Sequence, residues 1–139
     1  MYDNAKSGVI LNNTFKKDLM NGYNSSTELT SGQYIQFLGE IMDDKKKYYI
    51  TRYDIMNDNA IGVLGNEIVF YEKLEKEKTI VLNDEITRFK PITNTIYDKL
   101  EKGRVLTVTS FIVLNDKRYY RTKYNTEYDM NVVLDIEED

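Results

Sequence analysis

Two short runs, Lys45-Lys-Lys-Tyr-Tyr-Ile-Thr-Arg52 and Lys117-Arg-Tyr-Tyr-Arg-Thr-Lys123, set cations among tyrosines at matching intervals. A tyrosine ring can stack on the apolar face of a sugar, and an adjacent lysine or arginine can pair with phosphate or carboxylate. The residues that could carry such binding are Lys46, Lys47, Tyr48 and Arg52 in the first run, and Lys117, Arg118, Tyr119, Arg121 and Lys123 in the second. The same composition also suits a plainer role, in which the charges solubilise and protect strand edges while the tyrosines fill a core.

Other chemistry finds little material. The chain has no histidine and no cysteine, so Ser-His-Asp and Cys-His machinery and thiolate or imidazole metal sites are excluded. Carboxylate pairs occur at Asp43/Asp44 and Asp84/Glu85, but in predicted turns, where Asp favours backbone hydrogen bonding. Asp54, Asn57, Asp58 and Asn59 offer oxygen ligands without the spacing of a defined calcium loop. No catalytic residue, metal ligand or cofactor is expected, and the reading is of a non-enzyme.

Net charge is −4, with 19 basic and 23 acidic residues. Asp135-Ile-Glu-Glu-Asp139 supplies the whole excess and reads as a solvated tail. The remainder is balanced, so no nucleic-acid partner is expected, since phosphate-backbone binding needs a basic surplus. No apolar run approaches the roughly 20 residues of a membrane-spanning helix, and no membrane association is expected. The first residues lack an apolar signal segment, which fits either an intracellular chain or a fragment beginning at an introduced Met1.

The elements that must position the two runs are themselves duplicated. Gly32–Tyr53 aligns with Gly103–Tyr124 at an offset of 71, matching Gly32/Gly103, Ile41/Ile112, Lys46/Lys117, Tyr48/Tyr119, Tyr49/Tyr120, Thr51/Thr122 and Tyr53/Tyr124. Ten of the 45 pairs from 9–53 against 80–124 are identical, which marks a repeat rather than a coincidental short match. Three segments follow: a first β module over 1–65, a linker strand and loop over 66–78, and a second β module over 79–139 ending in the acidic tail. β-Branched and aromatic runs separated by turn residues recur, and helical periodicity is nearly absent, so the chain is all-β.

Alternation assigns faces. Ile35, Phe37 and Ile41 are expected on one face of their strand, as are Leu106, Val108 and Ile112. Tyr49, Thr51 and Tyr53, with Tyr120, Thr122 and Tyr124, are expected to face the core. Lys46, Tyr48, Ile50 and Arg52, with Lys117, Tyr119, Arg121 and Lys123, are expected at the surface.

In the second copy, Ile96-Tyr-Asp-Lys99, Leu100-Glu-Lys-Gly103 and Leu114-Asn-Asp-Lys-Arg-Tyr-Tyr-Arg121 stand in the order of a known pattern. The chain thereby resembles the S-layer-associated domain at the ends of surface proteins of lactobacilli and their relatives. The first copy matches through Leu29-Thr-Ser-Gly32 and Asp44-Lys-Lys-Lys-Tyr-Tyr49. The resemblance implies two tandem SH3-like small barrels on the cell surface of a Gram-positive bacterium. Their partner would be a cell-wall polymer, teichoic acid or peptidoglycan, or a neighbouring S-layer protein. Family members that hold wall teichoic acid are strongly basic, whereas this sequence has a pI near 5.0. The competing reading is a small intracellular or phage-encoded protein that binds and blocks a protein partner.

Overall fold

The computed structural model of the protein describes residues 5–123 and 132–134. The expectations for Tyr124, for the closing strand before residue 132 and for the acidic tail lie outside these residues. Among the described residues the protein is all-β with one short helix. It divides into two compact units, Met1–Phe70 and Tyr71–Asp139.

The first unit contains β1 (Lys6–Ile10), β2 (Thr14–Asp18), β3 (Asn24–Leu29), β4 (Tyr34–Asp43), β5 (Lys46–Thr51), α1 (Arg52–Met56), β6 (Ile61–Leu64), a single 3-10 turn and β7 (Ile68–Phe70). The second contains β8 (Glu72–Val81), β9 (Ile86–Lys90), β10 (Thr95–Leu100), β11 (Val105–Leu114), β12 (Lys117–Thr122) and β13 (Val133–Leu134). Strand order is β3-β2-β6-β5-β4-β1-β7 in one sheet and β10-β9-β13-β12-β11-β8 in the other. With β7 set aside, the two orders are the same. Every pairing is antiparallel, and among the described residues neither sheet closes into a barrel.

Register refines the repeat. β3, β4 and β5 stand 71 residues before β10, β11 and β12 at both ends. Upstream the spacing is 72: Leu29 pairs with Thr14 and Leu100 with Ile86, and Tyr34 pairs with Val9 and Val105 with Val81. The β2–β3 connection is therefore one residue longer than the β9–β10 connection. A gapless alignment places Leu11 over Leu82, but the fold places Ile10 there, and Ile10 and Leu82 are both buried in their cores.

Equivalent side chains fill the two cores. Ile10, Leu29, Ile35, Phe37, Tyr49 and Val63 in the first unit correspond to Leu82, Leu100, Leu106, Val108, Tyr120 and Leu134 in the second. Where the second unit has the smaller Val108, the first has Phe37 against Tyr49 and Phe70, with ring centres 6.0 and 5.8 Å away.

One irregularity changes the expected faces. Phe37 pairs with Thr51, but Gly39 pairs with Ile50, so β4 carries one extra residue, and the second unit repeats this between Val108 and Ser110. Such a bulge reverses the alternation beyond it. Phe37 and Val108 thus reach the core, while Ile41 and Ile112 lie opposite Tyr48 and Tyr119 on the other face. The expectation that Ile35, Phe37 and Ile41 share a face is corrected accordingly. A second correction concerns Tyr53. β5 ends at Thr51, which caps α1 by accepting a hydrogen bond from the Asp54 amide, and Tyr53 on α1 is 68% exposed rather than core.

Both hairpins turn on two residues of positive φ, Asp44/Lys45 and Asn115/Asp116, as the tight hairpin turn that matches strand twist requires. Gly32 and Gly103 also take positive φ, at 84° and 91°, which explains their identity in the repeat. Lysine and aspartate adopt the left-handed region at a cost. Lys45→Gly and Asp116→Gly should each stabilise their unit by about 0.5–1 kcal/mol, net of the added unfolded-chain entropy. The check is an upward shift of the urea midpoint at constant slope.

The segment read as a linker strand and loop, 66–78, contains β7 and the first part of β8. β7 pairs with β1 in the first sheet, and β8 pairs with β11 in the second. Gly8 makes β7 possible, since a Cβ there would lie 2.8 Å from Ile68 Cγ2 and 2.9 Å from the Val69 carbonyl oxygen. Its counterpart is Ile80, which packs on the second core and has no strand equivalent to β7 beside it among the described residues.

Candidate functional site

The nine cationic and aromatic residues singled out from sequence have different settings in the two units. In the first, Tyr48 is only 4% exposed, which corrects its expected place at the surface. Lys17, delivered by β2, donates from Nζ to Tyr48 Oη at 3.2 Å and lies 5.0 Å from the ring centre. The hydrogen bond with Tyr48 raises the Lys17 pKa above the ordinary lysine value, with the nearby Asp43 carboxylate adding to it. Gly62 on β6 permits this burial, because a Cβ there would sit 3.0 Å from Tyr48 Cβ. Lys47 lies 3.8 Å from Glu40 across the hairpin. Lys46 is exposed, and so is Arg52, which has left the strand for α1. The first unit offers no open ring at this place.

The second unit differs at the equivalent of Lys17, which is Phe89. Its ring meets Tyr119 edge to face, with centres 5.2 Å apart and planes at 88°. Tyr119 is half-buried, and Lys117 Nζ is 5.1 Å from its ring centre. Arg121, two residues along β12 from Tyr119, holds its guanidinium 4.7 Å from the Tyr71 ring centre. Lys117, Tyr119 and Arg121 therefore share one strand face, with Phe89 and Tyr71 as ring neighbours. Arg118 turns to the opposite face and lies 4.2 Å from the Phe111 ring centre. Lys123 is 2.9 Å from Glu77 in a partly exposed ion pair.

Sequence reading missed Phe89 and Tyr71. The signal for Phe89 was hidden by the one-residue change of offset, which placed it against Asp18 instead of Lys17. Tyr71 stood in a segment taken for a linker. Chemically, the face combines two cations held over rings with partly accessible aromatic surface. Each such cation–ring contact contributes about 0.5–1 kcal/mol at an exposed site, which orients the two side chains along this face.

The acidic groups are engaged elsewhere. Asp54 is 1% exposed. It accepts from Lys16 Nζ at 2.8 Å, Thr51 Oγ1 at 2.7 Å and Asn59 Nδ2 at 3.1 Å. Burial pushes the Asp54 pKa up, but these hydrogen bonds and the Lys16 charge outweigh it and hold the carboxyl below its ordinary value. Asp43 lies 3.6 Å from Lys17, and Glu85 lies 3.6 Å from Lys99. Asp98 accepts two hydrogen bonds from Arg88, at 2.6 and 2.5 Å, which lower its pKa. No helix among the described residues is long and apolar enough to cross a membrane.

No family model matches this chain, and neither does any curated protein.

Proposed function

We propose that the protein is a non-enzymatic pair of SH3-like β modules that attaches a bacterial surface protein to the cell envelope. The partner is a cell-wall polymer, teichoic acid or peptidoglycan, or a neighbouring S-layer subunit. The observation that carries this reading is the face of β12, where Lys117 and Arg121 lie over the rings of Tyr119 and Tyr71 beside Phe89. Rings for a sugar and oriented cations for its phosphates or carboxylates suit an anionic glycan. The first unit has its equivalent tyrosine buried under Lys17, so the second unit is assigned the larger share of binding. The resemblance of 96–121 to S-layer-associated domains supports the choice of an envelope partner.

The test is sedimentation of the purified protein with Gram-positive cell walls, before and after acid extraction of their anionic polymers. Lys117→Ala/Arg121→Ala should weaken sedimentation about tenfold, as expected for losing charge-assisted contacts. Lys46→Ala/Arg52→Ala should leave it nearly unchanged. Equal losses from both pairs, or none from either, would remove the β12 face from the proposal. Absence of wall binding by the unaltered protein would overturn envelope attachment itself.

A further inference from the structure

We infer that the second unit carries a subsite for a neutral sugar at its β10 edge, built on the ring of Tyr97 with Arg88 and Asp98 beside it. β10 is the outermost strand of its sheet. Ile96 pairs with Phe89 and Asp98 with Arg88, so Tyr97 is the extra residue of a bulge, a device that re-aims a side chain at a sheet edge. Arg88 takes one face of the ring, its guanidinium 5.2 Å from the centre, and Tyr97 is still 41% exposed. Asp98 fixes that guanidinium through two hydrogen bonds, while its own side chain remains 39% exposed. The shared fold does not require this cluster. At the 71-residue spacing of β3 and β10, Ser26 and Thr27 stand where the second unit has Tyr97 and Asp98, and β3 forms the same edge without them.

Elimination sets the ligand class. The guanidinium already on the ring repels a cation that would otherwise seek the aromatic face. The Asp98 carboxylate repels an anion. It is held below its ordinary pKa by the hydrogen bonds from Arg88, with the charges of Arg88 and Arg104 adding to them, so it stays ionised and can only accept hydrogen bonds. Each of its oxygens takes one bond from Arg88 and has a further lone pair for a hydroxyl. Such a site suits a neutral group with hydroxyl donors and an apolar C–H face, which describes a sugar ring. The subsite stands on these side chains and is independent of what the β12 face binds. Only the source of the sugar, a glycan strand bearing acetamido groups or an unmodified hexose polymer, rests on the envelope reading.

The experiment titrates the isotope-labelled full chain with methyl glucoside, N-acetylglucosamine, glucuronate and glucosamine in mildly acidic buffer, following backbone amide shifts. Saturable shifts at Ile96, Tyr97 and Asp98 are expected with the two neutral sugars, with dissociation constants on the order of millimolar. Tyr97→Ser, which copies the first unit, should weaken binding about tenfold while leaving the rest of the spectrum in place, and Tyr97→Trp should retain it. Tighter binding of N-acetylglucosamine assigns the sugar to an acetamido-bearing glycan strand, and tighter binding of the glucoside assigns it to a hexose polymer. Glucuronate or glucosamine bound as tightly as the neutral sugars would overturn the inference. So would unchanged affinity in Tyr97→Ser, or no saturable shift with either neutral sugar up to tens of millimolar. Wall sedimentation without sugar shifts would remove the subsite and leave envelope attachment standing, whereas sugar shifts without wall sedimentation would do the reverse.

Discussion

Asp54→Ala is expected to cost the first unit about 3–5 kcal/mol, the range for breaking a buried ion pair while leaving one charge behind. Lys16 would remain 7% exposed with no carboxylate, and Thr51 and Asn59 would each lose an acceptor. The cap of α1 would persist, because Thr51 Oγ1 accepts from the backbone amide of residue 54. A double variant, Lys16→Met/Asp54→Leu, should recover most of the loss, because replacing both partners by apolar groups is often close to neutral. Amide hydrogen exchange measured unit by unit is the appropriate readout, since the protection of β8–β13 should not change. A loss under about 1 kcal/mol would show that the pair contributes little.

The same pair sets an acid limb. The Asp54 pKa is depressed in the folded unit, so the unfolded chain binds more protons at low pH and stability rises with pH there. Its contribution is fully present above the unfolded value near 3.8 and is lost as pH falls through the folded one. Asp54→Asn should flatten this limb below about pH 4. An unchanged acid limb would place the responsible carboxylate elsewhere.

Phe37→Ala carries the second large expected effect, about 3–5 kcal/mol for deleting a fully buried aromatic ring. Phe37 is 0% exposed and meets Tyr49 and Phe70, which themselves lie 4.7 Å apart. Removing it leaves a void that β7, three residues long, must adjust to. Phe37→Val should cost less, because the second unit keeps Val108 at the equivalent place with Phe111 and Leu74 in its core. Urea unfolding monitored at amides of β1, β4 and β7 gives the comparison. Equal losses for alanine and valine would show that the first core cannot collapse around a smaller side chain.

By itself the sequence determined the all-β class and the repeat, because each follows from local composition and spacing; the positive φ of Asp44, Lys45, Asn115 and Asp116 came only with the structure. β-Branched and aromatic runs between Gly, Asn and Asp need no distant partner to be read as strands and turns. The core positions Tyr49 and Tyr120 were legible for the same reason: strand alternation holds over β5 and β12, which contain no bulge. Only the tertiary structure decided what lies past an irregularity or depends on a strand brought from far away. The extra residues in β4 and β11 put Ile41 and Ile112 on the face opposite Phe37 and Val108, where Ile41 is exposed and Ile112 is buried, and no residue type announces that reversal. Lys17 on Tyr48, and Phe89 on Tyr119, come from strands about 30 residues upstream in a register one residue off the simple repeat. Asp54 read as a turn residue because its partner, Lys16, is 38 residues away. A charge becomes structural only when the fold removes water from both members of the pair.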